Sequence, residues 1–332
     1  MRRSRFPVLW FFVFAYVITG VGACVNRFVV HRLNDPWMPY VAFVLKAGPS
    51  LAGLLMTLFV YGLPGVRRLA SQLAPWSVGG AWLVLAVCLL SRLVPPNIIV
   101  LASLVGLLMV LWLRGRASIG RLSLQLRTWL LGKGWPVLAV CLLLPLGVIV
   151  IPLRILAALG FSVPLPSWEG WPTYLYGAVI GGGLIGPGIF EEIGWRGFAL
   201  PHLQRRYSAL ASSLIIGLAW AFWHFPNFVI PSDHPPWWHL LTFVLLTMAF
   251  SVLFTWVYNS TGGSLFAVVV LHGATVATGR LFSWHDRPQP SYMWLGMLPW
   301  LVIAAGLVWR YGAANLSWRD RVVVETTNQR CT

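Results

Sequence analysis

The chain has 332 residues, 58% of them hydrophobic and only 10% charged, with a formal net charge of +16. A soluble domain carries about 25% charged residues, because charged side chains cover a water-facing surface. The composition therefore excludes a soluble globule and fits a chain whose solvent is hydrocarbon, where a spanning helix takes about 20 predominantly apolar residues.

About ten apolar spans are expected, near 7–25, 38–62, 76–94, 97–113, 135–157, 172–197, 208–229, 237–258, 264–282 and 291–311. The first follows Met1-Arg2-Arg3-Ser4-Arg5 and resembles a signal sequence, and Val21-Gly22-Ala23-Cys24 is weakly similar to a lipoprotein cleavage site. With many further spans behind it, it reads as an uncleaved first helix. Pro95 and Pro96 split 76–94 from 97–113, which makes that pair a tight hairpin or one re-entrant element. The stretch 114–134 is basic and amphipathic and is expected to lie along the membrane surface. Tryptophans at span edges, such as Trp37, Trp76, Trp135, Trp171, Trp237 and Trp284, suit an interfacial belt.

Loop charges set the orientation. With the N-terminus inside, Arg2, Arg3, Arg5, Arg67, Arg68, Arg114, Arg116, Arg121, Arg127, Lys133, Arg205, Arg206, Arg310, Arg319, Arg321 and Arg330 all fall on one side. The other side receives Glu169, Asp233 and Asp286, with Arg27, Arg32 and Arg287 as exceptions. The expectation is an all-α, polytopic transmembrane helix bundle of about 8–10 membrane helices, both termini cytoplasmic. Such a chain is an integral membrane protein, with a bacterial plasma membrane as the expected location. The positive balance then points to the lipid bilayer as partner and not to nucleic acid. Cys24, Cys88, Cys141 and Cys331 are scattered and imply neither a disulfide framework nor a zinc knuckle.

Of the eight acidic residues, Asp35, Glu169, Asp233, Asp286, Asp320 and Glu325 sit in loops or near the ends. The other two are adjacent, in Gly186-Pro187-Gly188-Ile189-Phe190-Glu191-Glu192-Ile193-Gly194-Trp195-Arg196. A carboxylate in a membrane segment costs roughly 2.5–3.5 kcal/mol on insertion scales, so the pair is a functional candidate. Glu192 and Arg196 share one helical face and suit a structural ion pair. That leaves Glu191, about 100° round the helix, without an obvious partner.

His224 supplies one, in Trp220-Ala221-Phe222-Trp223-His224. A lone histidine in an apolar run is more often a packing residue than a catalyst. If the chain turns back at Tyr207-Ser208, however, Glu191 and His224 are equally far from the turn, hence level in an antiparallel hairpin. His272, in Val270-Leu271-His272-Gly273, could reach the same depth from Ser264. His31, His202, His234, His239 and His285 lie in loops or at span ends and read as interfacial polar residues. One glutamate and two histidines suit hydrolysis: a general base on water, a group that holds the water, and a group that stabilises the oxyanion. Glu191, His224 and His272 could instead bind Zn²⁺, so the cofactor is unknown, with none favoured. The chain has no His-Glu-x-x-His, no Gly-x-Gly-Asp and no Gly-x-Ser-Gly, which favours glutamate chemistry over serine or aspartyl chemistry.

These residues resemble the CAAX protease and bacteriocin-processing (CPBP, or Abi) family of intramembrane glutamic endopeptidases. The family's Glu-Glu-x-x-x-Arg is met in full by Glu191, Glu192 and Arg196. Its Phe-x-x-x-His is met by His224, with Trp220 in place of the Phe. Its third motif, a His followed four residues later by Asn or a similar residue, is met by His272, but Val276 occupies the polar position. The early Gly48-Pro49-Ser50-Leu51-Ala52 and Gly65-Val66-Arg67-Arg68-Leu69, and the later Phe254-Thr255-Trp256-Val257-Tyr258-Asn259, are also similar. The resemblance implies a peptidase acting on a membrane-associated peptide or protein. It implies Glu191 as base, His224 positioning water, His272 on the oxyanion, and Glu192, Arg196 and Trp220 in support. It also implies the organisation: N-terminal membrane helices over 1–170, a catalytic core over 171–285, and a last helix with a basic tail over 286–332. The departure at Val276, with Thr275 or Thr278 as substitutes, leaves open an impaired relative acting as a membrane chaperone, immunity or regulatory protein. A proton-coupled transporter is the third reading.

Overall fold

The computed structural model describes residues 7–25, 46–73, 134–161, 174, 176–184, 186–229, 237–281 and 290–324. All regular structure among these residues is helical. In chain order the elements are α1 (Pro7–Val25), α2 (Gly48–Ser71), α3 (Gly134–Ala158) and α4 (Gly177–Leu184, wound as π turns). Then come α5 (Pro187–Gly194), α6 (Trp195–Ala199, again π-wound), α7 (Leu200–Leu203), α8 (Ala209–Trp223) and α9 (Pro226–Val229). The last are α10 (Trp237–Ser260), α11 (Leu265–Leu281) and α12 (Pro290–Asn315).

Among the described residues five helical stretches are long and apolar enough to cross a membrane: Pro7–Cys24, Gly48–Ser71, Ala139–Ala158, Trp238–Ser260 and Gly296–Asn315. Ala209–Trp223 and Leu265–Arg280 are shorter apolar helices. Leu55, Phe59, Ile151, Ile155, Val302 and Trp309 are exposed on the long helices. Such side chains would be a liability in water and are the expected surface in lipid, where helices satisfy their backbone internally. These helices agree with the all-α bundle expected from composition. The expected spans 76–94 and 97–113 and nearly all of the surface stretch 114–134 lie outside the described residues.

Element ends differ from the expected spans where backbone chemistry overrides hydropathy. The span expected to stop at 62 continues to Ser71, through a break at Gly62 (φ 65°) and past Pro64, and carries Arg67 and Arg68 on its final turns. The span expected over 172–197 is not one helix. Its glycine run is wound as π turns, Gly186 is extended (φ −135°, ψ −150°), and α5 restarts at Pro187. Proline suits that first position because its missing N–H would be unpaired there anyway. The span expected over 208–229 ends at Trp223 with His224 as its C-cap, and Pro226 opens a separate turn. Proline disfavours the helical conformation in the residue before it.

α11 lies at the centre, packed against α3, α4, α5 and α10, while α2 packs on α1 and α5, and α10 on α8 and α12. Leu265, Val268, Val269, Val270, Leu271 and Ala274 of α11 are all fully buried. A helix that is apolar all round belongs inside. Close approach of backbones makes this packing possible. A Cβ on Gly273 would sit 1.9 Å from the Ala178 carbonyl oxygen, and one on Gly194 would sit 2.1 Å from that of Pro49. These two contacts lie beside His272 and just after Glu191-Glu192, so they fix the backbone that carries the candidate residues.

Beyond α12 the chain doubles back. Buried Gln204 and Asn259 exchange hydrogen bonds through their amides (3.1 and 2.8 Å). Gln204 Nε2 also donates to the Val322 carbonyl (2.7 Å), and Val322 N–H donates to Asn259 Oδ1 (3.1 Å). The amide pair thereby clamps the tail onto the turn after α7.

Candidate active site

Glu191 and Glu192 sit on α5, whose start is set by Gly186 and Pro187. Arg196 follows one turn later, at the opening of the π-wound α6. Glu192 and Arg196 have no exposed surface, and Glu191 is 4% exposed. Burying charge is costly unless each charge is paired and hydrogen-bonded. The two neighbouring carboxylates meet that requirement differently.

Glu192 is fully engaged. Arg196 Nη1 donates to both of its oxygens, at 3.0 and 2.9 Å. His272 Nδ1 stands 2.7 Å from Oε1. Arg196 Nη2 donates to Ser251 Oγ (3.1 Å), which donates in turn to the Ser213 carbonyl (2.6 Å). The guanidinium carbon lies 5.3 Å from the Trp220 ring centroid and 4.9 Å from that of Phe254, both within cation–π range. Four elements (α6, α8, α10 and α11) are thus tied to α5 through one carboxylate and one guanidinium.

Among the described residues Glu191 receives a single neutral side-chain donor. Trp220 Nε1 donates to its Oε2 at 2.5 Å. The same indole gathers both histidines: its ring centroid is 6.0 Å from that of His224 and 5.3 Å from that of His272. The His224 Nδ1 lies 3.0 Å from the Trp220 carbonyl oxygen. A carbonyl and an ionised carboxylate only accept, so the Nδ1 of both histidines carries hydrogen. Nε2 is then the remaining polar atom on each ring.

The sequence-derived set is therefore brought together: Glu191, His224 and His272 surround Trp220, and Glu192 with Arg196 forms the expected pair. Hairpin spacing sets Glu191 level with His224; in the structure the Glu191 carboxylate meets the indole of Trp220, one turn before His224 on α8. Residues 195–199 are π-wound and the chain leaves the helix after Leu203, so the arm that carries Glu191 is not a regular α-helix up to the turn. Sequence reasoning missed Ser251, Phe254 and the Glu192–His272 bond. A serine one turn before a phenylalanine in an apolar helix is common packing, and nothing local marks Ser251 as an arginine partner.

The third motif can now be placed. Thr275 Oγ1 donates to the His272 carbonyl (2.7 Å) and Thr278 Oγ1 to that of Ala274 (2.8 Å). Both hydroxyl protons are spent within α11, so neither threonine is a free donor in place of an asparagine at 276. Zn²⁺ also finds a poor fit. Among the described residues no group of three His, Cys, Asp or Glu side chains is arranged to hold a metal ion.

Comparison with known proteins converges on the same segment. Residues 171–278 match the family described as "Type II CAAX prenyl endopeptidase Rce1-like". The chain is also 32% identical over 89 residues to the "CAAX prenyl protease 2" of Methanococcus maripaludis, an alignment covering 25% of this chain and 33% of the relative. The chain thus spans about a third of the length of that curated relative. The segment that holds Glu191, His224 and His272 is the one that matches the Rce1-like CAAX prenyl endopeptidases.

Proposed function

We propose that the chain is an intramembrane endopeptidase that hydrolyses a peptide bond in a membrane-associated protein or peptide. The observation that carries this reading is the inequality of the two glutamates. Glu192 is saturated by Arg196 and His272, whereas Glu191 has, among the described residues, one oxygen without a hydrogen-bond donor, and its partner Trp220 lies against both histidine rings.

In the proposed reaction Glu191 takes a proton from a water held by His224, whose Nε2 accepts a hydrogen bond once Nδ1–H is committed to the backbone. The hydroxide bonds to the scissile carbonyl carbon. His272, in its doubly protonated form, donates from Nε2 to the oxyanion while Glu192 faces its charge. Collapse breaks the C–N bond, and the departing amine takes the proton from Glu191. A positioned general base contributes about 10²–10⁴-fold, and a single oxyanion donor about 10²–10³-fold. No step runs through a metal. The name of the archaeal relative suggests prenylated carboxyl-terminal tails as substrates; the wider family resemblance suggests bacteriocin-related and other membrane peptides.

The test is cleavage of a membrane-peptide library by the purified protein, with products mapped by mass spectrometry. Cleavage that survives Glu191→Ala unchanged would overturn the assignment. A second reading, a catalytically impaired relative, has its own observation: Val276 offers no donor and both nearby threonine hydroxyls are spent. Under that reading Val276→Asn raises turnover by an order of magnitude or more. Under the first reading it changes turnover by less than about threefold.

A further inference from the structure

At position 220 the resemblance predicts a phenylalanine, and the chain has a tryptophan. Both residues fill a similar aromatic slot, and both could lie beneath Arg196 and against His272. Only tryptophan brings a hydrogen-bond donor, and an indole N–H can donate but not accept. That N–H is used on Glu191 Oε2 at 2.5 Å. It is the one hydrogen bond to Glu191 seen among the described side chains, so nothing else there fixes the carboxylate's rotation. Trp220 itself is held from several sides: it is 4% exposed, it lies under the guanidinium of Arg196, and its ring contacts Phe254 (5.9 Å) and His272 (5.3 Å). A locked donor aimed at a carboxylate with no other described donor is a positioning device.

We propose that Trp220 is a positioning residue of this chain, orienting Glu191 by tying down Oε2 so that Oε1 is the oxygen presented to water. The inference rests on the hydrolytic reading given above. The cationic guanidinium over the indole ring strengthens the device, because a positive charge at the ring face makes the N–H a better donor. Arg196 thereby reaches both glutamates, Glu192 by direct pairing and Glu191 through Trp220.

The test removes the N–H while keeping the ring. Trp220→Phe deletes the donor, and replacement of Trp220 by 3-benzothienylalanine keeps the bicyclic shape with sulfur in place of N–H. Both variants are expected to lose roughly 10- to 100-fold in kcat, the worth of one hydrogen bond to a charged group, with KM within about twofold of wild type. In a Glu191→Gln background Trp220→Phe is expected to cause little further loss. A purely structural role would instead lower activity with Phe but leave the benzothienyl variant at wild-type kcat, and that result overturns the proposal.

A second readout needs no catalysis. In protein labelled with ¹⁵N-tryptophan, the indole proton signal that disappears in Trp220→Phe should lie downfield and move upfield in Glu191→Gln. An indole signal indifferent to Glu191→Gln also overturns the proposal. If that signal responds but no peptide is cut by the wild type, the hydrogen bond stands and the hydrolytic reading is what fails.

Discussion

Glu192→Gln separates the two tasks of the buried pair. The Glu192 carboxylate accepts from Arg196 Nη1 at both oxygens and from His272 Nδ1 at one, with no solvent exposure on Glu192 or Arg196. The amide keeps the shape but removes the charge and turns one acceptor into a donor facing the guanidinium. Among the described residues Arg196 is then a buried cation facing one neutral amide oxygen, the Ser251 hydroxyl and two ring faces, with no carboxylate charge opposite it in that pair. Removing one partner of a buried pair costs about 3–5 kcal/mol, a large part of the 5–15 kcal/mol that typically holds a domain together. The variant should unfold at markedly lower denaturant in detergent micelles, followed by tryptophan fluorescence. The double substitution Glu192→Leu with Arg196→Met removes both charges, and apolar replacement of a buried pair is often neutral. It should recover most of the lost stability yet stay slow, because His272 still lacks its acceptor. Glu192→Gln with wild-type stability, or a double variant with wild-type kcat, would refute this division of labour.

Other expectations follow from single contacts. Gly273→Ala should destabilise strongly and lower expression, since its Cβ would meet the Ala178 carbonyl at 1.9 Å, a backbone atom that cannot swing away. Gln204→Ala strips Asn259 and Val322 of buried partners, at about 1–3 kcal/mol for each unsatisfied group. Limited proteolysis should then nick the chain near 316–324, a cut expected to be absent in the wild type. Exhaustive chelation should leave peptide cleavage within about twofold, because Glu191, His224 and His272 do not form a three-ligand centre; loss of activity restored by Zn²⁺ would reverse that expectation.

Much of this site was legible in the chain because membrane residence makes polar residues conspicuous. In a segment such as Gly186–Arg196 two carboxylates stand out by cost alone, and the Glu192–Arg196 pair follows from helical spacing. The helical class followed from composition for the same reason. Long-range choices were not legible. That His272 would reach Glu192 depends on how closely α11 approaches α5, which Gly273 and the glycine-rich α4 permit but do not announce. Ser251 acts only because Arg196 arrives from a π-wound turn, and hydropathy carries no sign of π winding. In the sequence Trp220 is a substituted motif position; its use as a donor to Glu191 is visible only in the geometry.

The central claim is that Glu191, His224 and His272 work as one hydrolytic unit. The most direct measurement compares kcat/KM for one peptide in proteoliposomes across Glu191→Gln, His224→Asn, His272→Asn and the triple variant. Groups that act as a unit are grossly non-additive, so each single change should cost nearly as much as all three. Single losses that multiply to give the triple loss, or any single variant cutting at the wild-type rate, would contradict the account.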